Sequence, residues 1–98
     1  MVIWSEKIEV IPWRVHIVSV LPDYCLFVTC NDGTTGIINM LRLISSEQAG
    51  IFAALKDEQL FNQVHIELGV LTWPNGADFD PVWLHEEIGK NGTWCVLA

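Results

Sequence analysis

Between Val15 and Met40 the apolar residues come in three short blocks, VHIVSVL, YCLFVTC and TTGIINM, separated by PD and NDG. β-Branched and aromatic side chains crowd the blocks, whereas Pro, Asn, Asp and Gly fill the breaks, so the pattern predicts three strands joined by tight turns. A meander is the simplest topology. Strand side chains alternate between faces, which puts Leu26, Val28 and Cys30 on one side of the middle strand and Phe27 and Thr29 on the other; the first set is the expected core face. Asp32-Gly33 is placed to supply the positive φ angles of a hairpin turn.

After Met40 the hydrophobic period lengthens. Ser45 and Gln48 have the spacing of a capping box, and Ile51, Phe52 and Leu55 follow at helical intervals, so a short helix is expected there, weakened by Gly50. Asp57 is positioned to cap a further single turn through Leu60 and Phe61. Strand character returns in QVHIEL and VLTW, which read as a second hairpin with Val64 and Ile66 on one face and its turn near Leu68-Gly69. Trp73-Pro74-Asn75-Gly76 then suits a type I turn, with Pro second and Gly fourth. Asp80 stands before Pro81 as an N-cap, Leu84 and Ile88 supply a buried stripe, and Gly89 is the expected helix end. These elements sum to an α+β fold: a small antiparallel sheet, as a three-stranded meander plus a second hairpin, packed with two or three short helices.

Composition narrows the picture further. With 98 residues, of which 51% are hydrophobic, the chain suits a single domain spanning 1–98; a chain of this size buries roughly two-thirds of its unfolded surface. Twelve acidic residues against five basic ones give a net charge of −7. That field repels nucleic acid and anionic lipid, so direct nucleic-acid binding is not expected; its first role is to keep a hydrophobic small protein soluble, and the alternative it leaves open is attraction of a small basic partner protein. Arg14, Asp23, Asp32 and Arg42 interrupt the apolar segments before any reaches the length of a membrane span. The first residues lack the form of a signal peptide, which makes the cytoplasm the expected compartment. Cys25 and Cys30 point to opposite faces of one strand and Cys95 makes the count odd, so free thiols packed as small hydrophobes are expected.

The chain is poor in catalytic patterns. His16, His65 and His85 are scattered without metal-site spacing, and neither GxGxxG nor GxxxxGK occurs, so no metal and no cofactor are expected. Asn75, Asp78 and Asp80 carry oxygens suited to a hard cation, but turn formation and helix capping account for most of them. No base stands near a cysteine in sequence to activate it. His85, Glu86 and Glu87 read as an exposed helix face. The five tryptophans are more than a small core easily hides, and Trp4, Trp13 and Trp94, in the strand-like tails, are the expected interaction residues. Those tails are too short to form a core of their own, and are expected to pair with each other, with the main sheet or with another subunit.

DYCLFVTCNDGTTGIINM, followed by GIFAALKDEQLFNQVHIELGVLTWPNGADFDPVWL, resembles the small bacterial domains grouped as the domain-of-unknown-function family numbered 2442. The likeness covers residues 15–88 and leaves tails 1–14 and 89–98 outside. Its most specific element is WPNGAD, Trp73 to Asp78, supported by Asp32-Gly33, Leu55, Asp57 and Phe61. The resemblance implies an α+β domain with no enzyme activity. Some relatives carry the domain in front of a helix-turn-helix, and short ones resemble components of toxin–antitoxin pairs, which implies a regulatory or partner-binding role. The chain departs from the family at Asn39, where Asp is usual, and at His85, where Tyr is frequent. Any contact with DNA is expected to come from another subunit.

The function expected from these signals is a non-enzymatic protein-interaction module, homodimeric, that binds a small partner protein. The alternative is a small enzyme or divalent-cation-binding protein using the corner formed by Trp73, Asn75, Gly76, Asp78 and Asp80.

Overall fold

The structure is a computed structural model that describes residues 11–96. In chain order the elements are β1 (Val15–Leu21), β2 (Cys25–Cys30), β3 (Thr35–Asn39), α1 (Leu41–Ser45), the 3-10 helix η1 (Gly50–Lys56), α2 (Glu58–Phe61), β4 (His65–Glu67), β5 (Val70–Thr72), α3 (Pro81–Asn91) and β6 (Thr93–Cys95). The α+β architecture predicted from the sequence is present: β1, β2 and β3 form an antiparallel meander and β4 and β5 a separate hairpin. Their register puts Leu26, Val28 and Cys30 on the buried face of β2, while Phe27 and Thr29 look outward. One outward row runs Ser19, Phe27, Ile37, Thr93 across the four strands of the main sheet.

Turn chemistry differs in detail from the sequence expectation. At the β2–β3 connection only Gly33 has a positive φ, 91°, and its N–H closes the turn on the Cys30 carbonyl at 2.9 Å. Asp32 instead accepts the Thr34 N–H at 2.9 Å. At the β1–β2 connection the left-handed residues are Asp23 and Tyr24, φ 61° and 60°. A tyrosine rarely adopts this region. Here its hydroxyl donates to the Lys56 carbonyl and its ring packs edge-on against Phe61 at 5.2 Å, so tertiary contacts hold the conformation.

Two helix boundaries are corrected. Ser45 does not start a helix; it ends α1, which begins directly after β3 with the Asn39 side chain accepting the Leu41 N–H at 3.0 Å. An aspartate at position 39 would accept the same bond. The local cap falls one residue later, where Ser46 Oγ accepts the Gln48 N–H at 3.0 Å, and the segment that follows is a 3-10 helix that opens on Gly50 at φ 58°. The second correction concerns Gly89, which lies inside α3. The helix runs to Asn91, and Gly92, φ 76°, ends it with its N–H on the Ile88 carbonyl at 2.7 Å. Glycine at an interior helical position costs about 1 kcal/mol relative to alanine, which the buried Leu84 and Ile88 offset. The expected cap at Asp57 is present, its carboxylate accepting the Gln59 N–H at 3.0 Å. The two-residue turn at Leu68-Gly69 is also as predicted, with φ 52° and 82°.

The C-terminal tail takes one of the three courses open to it. From Gly92 the chain runs directly alongside β3, and β6 pairs with it in parallel, extending the sheet to the order β1-β2-β3-β6. Ile37 N–H donates to the Gly92 carbonyl and Val96 N–H to the Asn39 carbonyl, at 2.9 and 3.0 Å. Parallel pairing requires a crossover, and here it is the whole segment between β3 and β6, with α3 as its last element. The core lies between the inner face of this sheet and the helices, around Leu26, Ile38, Leu55, Trp73, Leu84 and Trp94.

Candidate functional site

The stretch from Leu71 to Trp83 builds a corner whose polar groups are largely satisfied locally. Gly76 N–H donates to the Trp73 carbonyl at 3.0 Å, which is the i to i+3 bond of the predicted turn, and Trp73 N–H donates to the Ala77 carbonyl at 2.9 Å. Asn75 serves the corner twice. Its Oδ1 accepts the Ala77 N–H at 3.2 Å and its Nδ2 donates to the Ile51 carbonyl at 3.2 Å, tying the turn to η1. Trp73 Nε1 donates to the Phe61 carbonyl at 2.9 Å in the interior.

Beyond the turn the chain doubles back along β5, with Asp78 bridging Thr72 and Phe79 N–H donating to the Leu71 carbonyl at 3.1 Å. Alternation along this extended segment turns Ala77 and Phe79 inward and Asp78 outward. The Asp78 carboxylate makes no hydrogen bond among the described residues. Asp80 has the role read from the sequence: it is extended, and its Oδ1 accepts the Val82 N–H at 2.9 Å in front of Pro81.

Asp78 and Asp80 both line an open groove of about 350 Å³, together with apolar side chains from five parts of the chain. Leu43 of α1, Ala49 just before η1 and Phe52 within it, Phe79 of the corner, Trp83 of α3 and Val96 after β6 form its apolar lining. Gln48 adds a neutral polar group, and the exposed Asp78 and Asp80 stand on the rim with no basic residue in the lining. Phe52 stacks on Phe79 at 5.3 Å, and the buried Trp94, which does not itself line the groove, joins Phe79 at 5.7 Å to Trp83 at 4.9 Å. Such arrays are rigid and present large contact area at small entropic cost. Asn75 and Gly76 of the predicted corner shape the turn but do not line the groove.

The tryptophans divide differently from the sequence expectation. Trp94 is buried, 7% exposed, because β6 joins the sheet and carries it inward. Trp13 precedes β1 and is 40% exposed, and Trp4 lies outside the described residues. The exposed tryptophan of the groove is Trp83, 50% exposed, which the tail-based reading passed over. A helical signal for it existed: Trp83 sits one residue, about 100°, from Leu84 and so flanks the buried stripe.

A second polar cluster joins residues far apart in sequence. His85 Nε2 lies 2.8 Å from Asp32 Oδ2 and 3.5 Å from Thr34 Oγ1, so the residue read as part of a solvated helix face instead braces α3 against the β2–β3 turn. The bond to His85, followed by the N–H of Thr34, lowers the Asp32 pKa from 3.8 to about 2. Asp32 and Thr34 both approach the same ring nitrogen, whereas a proton relay from nucleophile to carboxylate uses the two nitrogens separately. Burial, with Asp32 nearby, raises the Cys30 thiol to about 11, and burial raises Cys25 as well, so neither thiol is activated as a nucleophile. Among the described residues, no three His, Cys, Asp or Glu side chains stand close enough to share a metal ion. Nor is any described helix long and apolar enough to cross a membrane.

Fold and site together define a small α+β domain: a mostly antiparallel four-stranded sheet, a short hairpin docked beside it, and an open apolar groove with an acidic rim. The chain belongs to the family described as Protein of unknown function (DUF2442), whose family model matches residues 15–89. The matched span contains the whole corner and most of the groove, while β6 and Val96 follow it. No curated protein and no solved structure gives a match.

Proposed function

We propose that this domain is a non-enzymatic interaction module that holds a basic segment of a small partner protein in the groove beside Asp78 and Asp80. The observation that carries the proposal is the pairing of an apolar, aromatic floor with two carboxylates on a rim that has no cation of its own. That chemistry suits a segment presenting an aliphatic or aromatic side chain next to an arginine or lysine, the former desolvated on Phe79 and Trp83 and the latter held by the rim. The net charge of −7 favours the encounter. The resemblance to the small bacterial domains of this family, not the groove itself, adds a cytoplasmic regulatory or toxin–antitoxin-type role as the proposed setting.

The test is affinity capture from the native host with the tagged full chain, in parallel with Asp78→Lys. Asp78 makes no internal hydrogen bond among the described residues, so its reversal changes the rim and leaves the fold intact. A partner captured in fixed stoichiometry, lost on Asp78→Lys and weakened by salt, is the expected result. Equal capture by both chains overturns the groove as the site, and absence of any stoichiometric partner overturns the module.

A further inference from the structure

The outer face of the main sheet carries no charge. Outside the bulge at His16, none of the outward positions of β1, β2, β3 and β6 is Asp, Glu, Lys, Arg or His. A solvated face of an antiparallel sheet is ordinarily polar, with charged residues interspersed. Here its centre is Phe27 beside Ile37, 36% and 37% exposed, with Ile17 at 48% on the edge strand. Around them the outward side chains are Leu21 and otherwise only Ser, Thr, Asn and Cys. No described element covers them.

From this arrangement we infer that the sheet face is a self-association surface and that its occupant is the same face of a second copy. Two copies that each carry −7 repel wherever their charged loops and helices meet, and this face lets them approach without setting like charges against each other. A basic partner gains nothing from a surface without charge. The polar groups on the face also suit their own images. A hydroxyl or a carboxamide is both donor and acceptor, which is the self-complementarity that a two-fold contact requires. Four strands about 4.8 Å apart and outward positions spanning about five residues make a face on the order of 300 Å² in plan. A standard stable complex buries about 800 Å² per partner, so the dimer belongs to the weak, reversible class.

The surface is independent of the groove, and salt separates the two. Screening relieves repulsion between two copies but weakens attraction for a basic segment, so salt strengthens self-association and loosens partner binding. The experiment is sedimentation of the full chain from about 10 μM to about 1 mM, at low and high salt. It compares wild type with Ile37→Glu, which places like charges across the two-fold, and with Trp83→Ala in the groove. The expected result is concentration-dependent dimerisation that salt strengthens, that falls at least about tenfold in Ile37→Glu, and that persists in Trp83→Ala. Phe27→Thr, outward and β-branched, serves the same purpose if Ile37→Glu lowers the melting temperature. The inference is overturned if wild type stays monomeric at 1 mM, if the face variants dimerise like wild type, or if Trp83→Ala alone abolishes the dimer. It is equally overturned if only removal of residues 1–10 permits dimerisation, because that segment of the same chain is then the occupant.

Discussion

Replacing Gly36 with alanine tests how the C-terminal part of the chain is held on the sheet. An alanine Cβ at this position would lie 2.7 Å from Ile88 Cβ and 2.9 Å from the Gly92 carbonyl oxygen. Carbon atoms pack best at about 3.5–4.0 Å, so α3 and the start of β6 must retreat by about 1 Å. Neither obstacle is the mobile end of a side chain. Ile88 is fully buried, and the Gly92 carbonyl already accepts the Ile37 N–H at 2.9 Å, so the retreat loosens the core and stretches the first bond between β6 and β3. Overpacking of this kind costs about 1–3 kcal/mol. Removing a glycine from the unfolded chain returns about 0.4–1 kcal/mol, which leaves a net loss centred on about 1.3 kcal/mol. For a domain of this size each 1 kcal/mol corresponds to about 4–8 °C in melting temperature. Urea denaturation followed by tryptophan fluorescence, with the m-value compared between variants, measures the loss. Ile88→Ala in the same chain will not restore stability, since the Cβ and the backbone oxygen that cause the clash both remain. A Gly36→Ala protein as stable as wild type would refute the close docking of α3 on β3.

Three further outcomes follow from the same geometry. Asp80→Ala removes the cap on the Val82 N–H and is expected to cost about 1 kcal/mol, whereas Asp78→Ala leaves stability within about 0.5 kcal/mol; equal losses in thermal melts would show that Asp78 has a structural role too. Asp32 is a carboxylate whose pKa falls from 3.8 to about 2 on folding, so its contribution to stability is present above about pH 4 and is lost as pH falls toward 2. Asp32→Asn therefore flattens the stability profile across that window, and His85→Ala raises the Asp32 pKa in a carbon-detected NMR titration; an unchanged titration would break the assignment of His85 as the main cause. Trp73→Phe keeps aromatic contact with Phe61 and Phe79 but loses the interior bond to the Phe61 carbonyl, with an expected cost of about 1–2 kcal/mol in urea denaturation.

The strand blocks, the Asp57 and Asp80 caps and the Trp73 turn were legible because each depends on residues within a few positions of one another. The capping box at Ser45 and the helix end at Gly89 were misread for the opposite reason: more than one local solution fitted. Asn39 starts α1 early, which leaves Ser45 at its end, and burial of Ile88 carries α3 through Gly89 until Gly92 meets the sheet. Of the site, Asp78 and Asp80 stood out in the sequence, but the floor beneath them did not. Leu43, Phe52, Trp83 and Val96 are ordinary apolar residues along the chain and become a groove only when their four segments converge on the corner at Phe79.

By itself the sequence determined the α+β class, the meander and its buried face, and the corner at Trp73, since periodicity, turn residues and caps act over short distances. Tertiary structure alone decided that the last strand pairs in parallel with β3, that Trp94 is buried while Trp83 is exposed, and that His85 reaches Asp32. Those outcomes join residues about fifty positions apart, where no local preference operates and the packing of one shared core selects the partner.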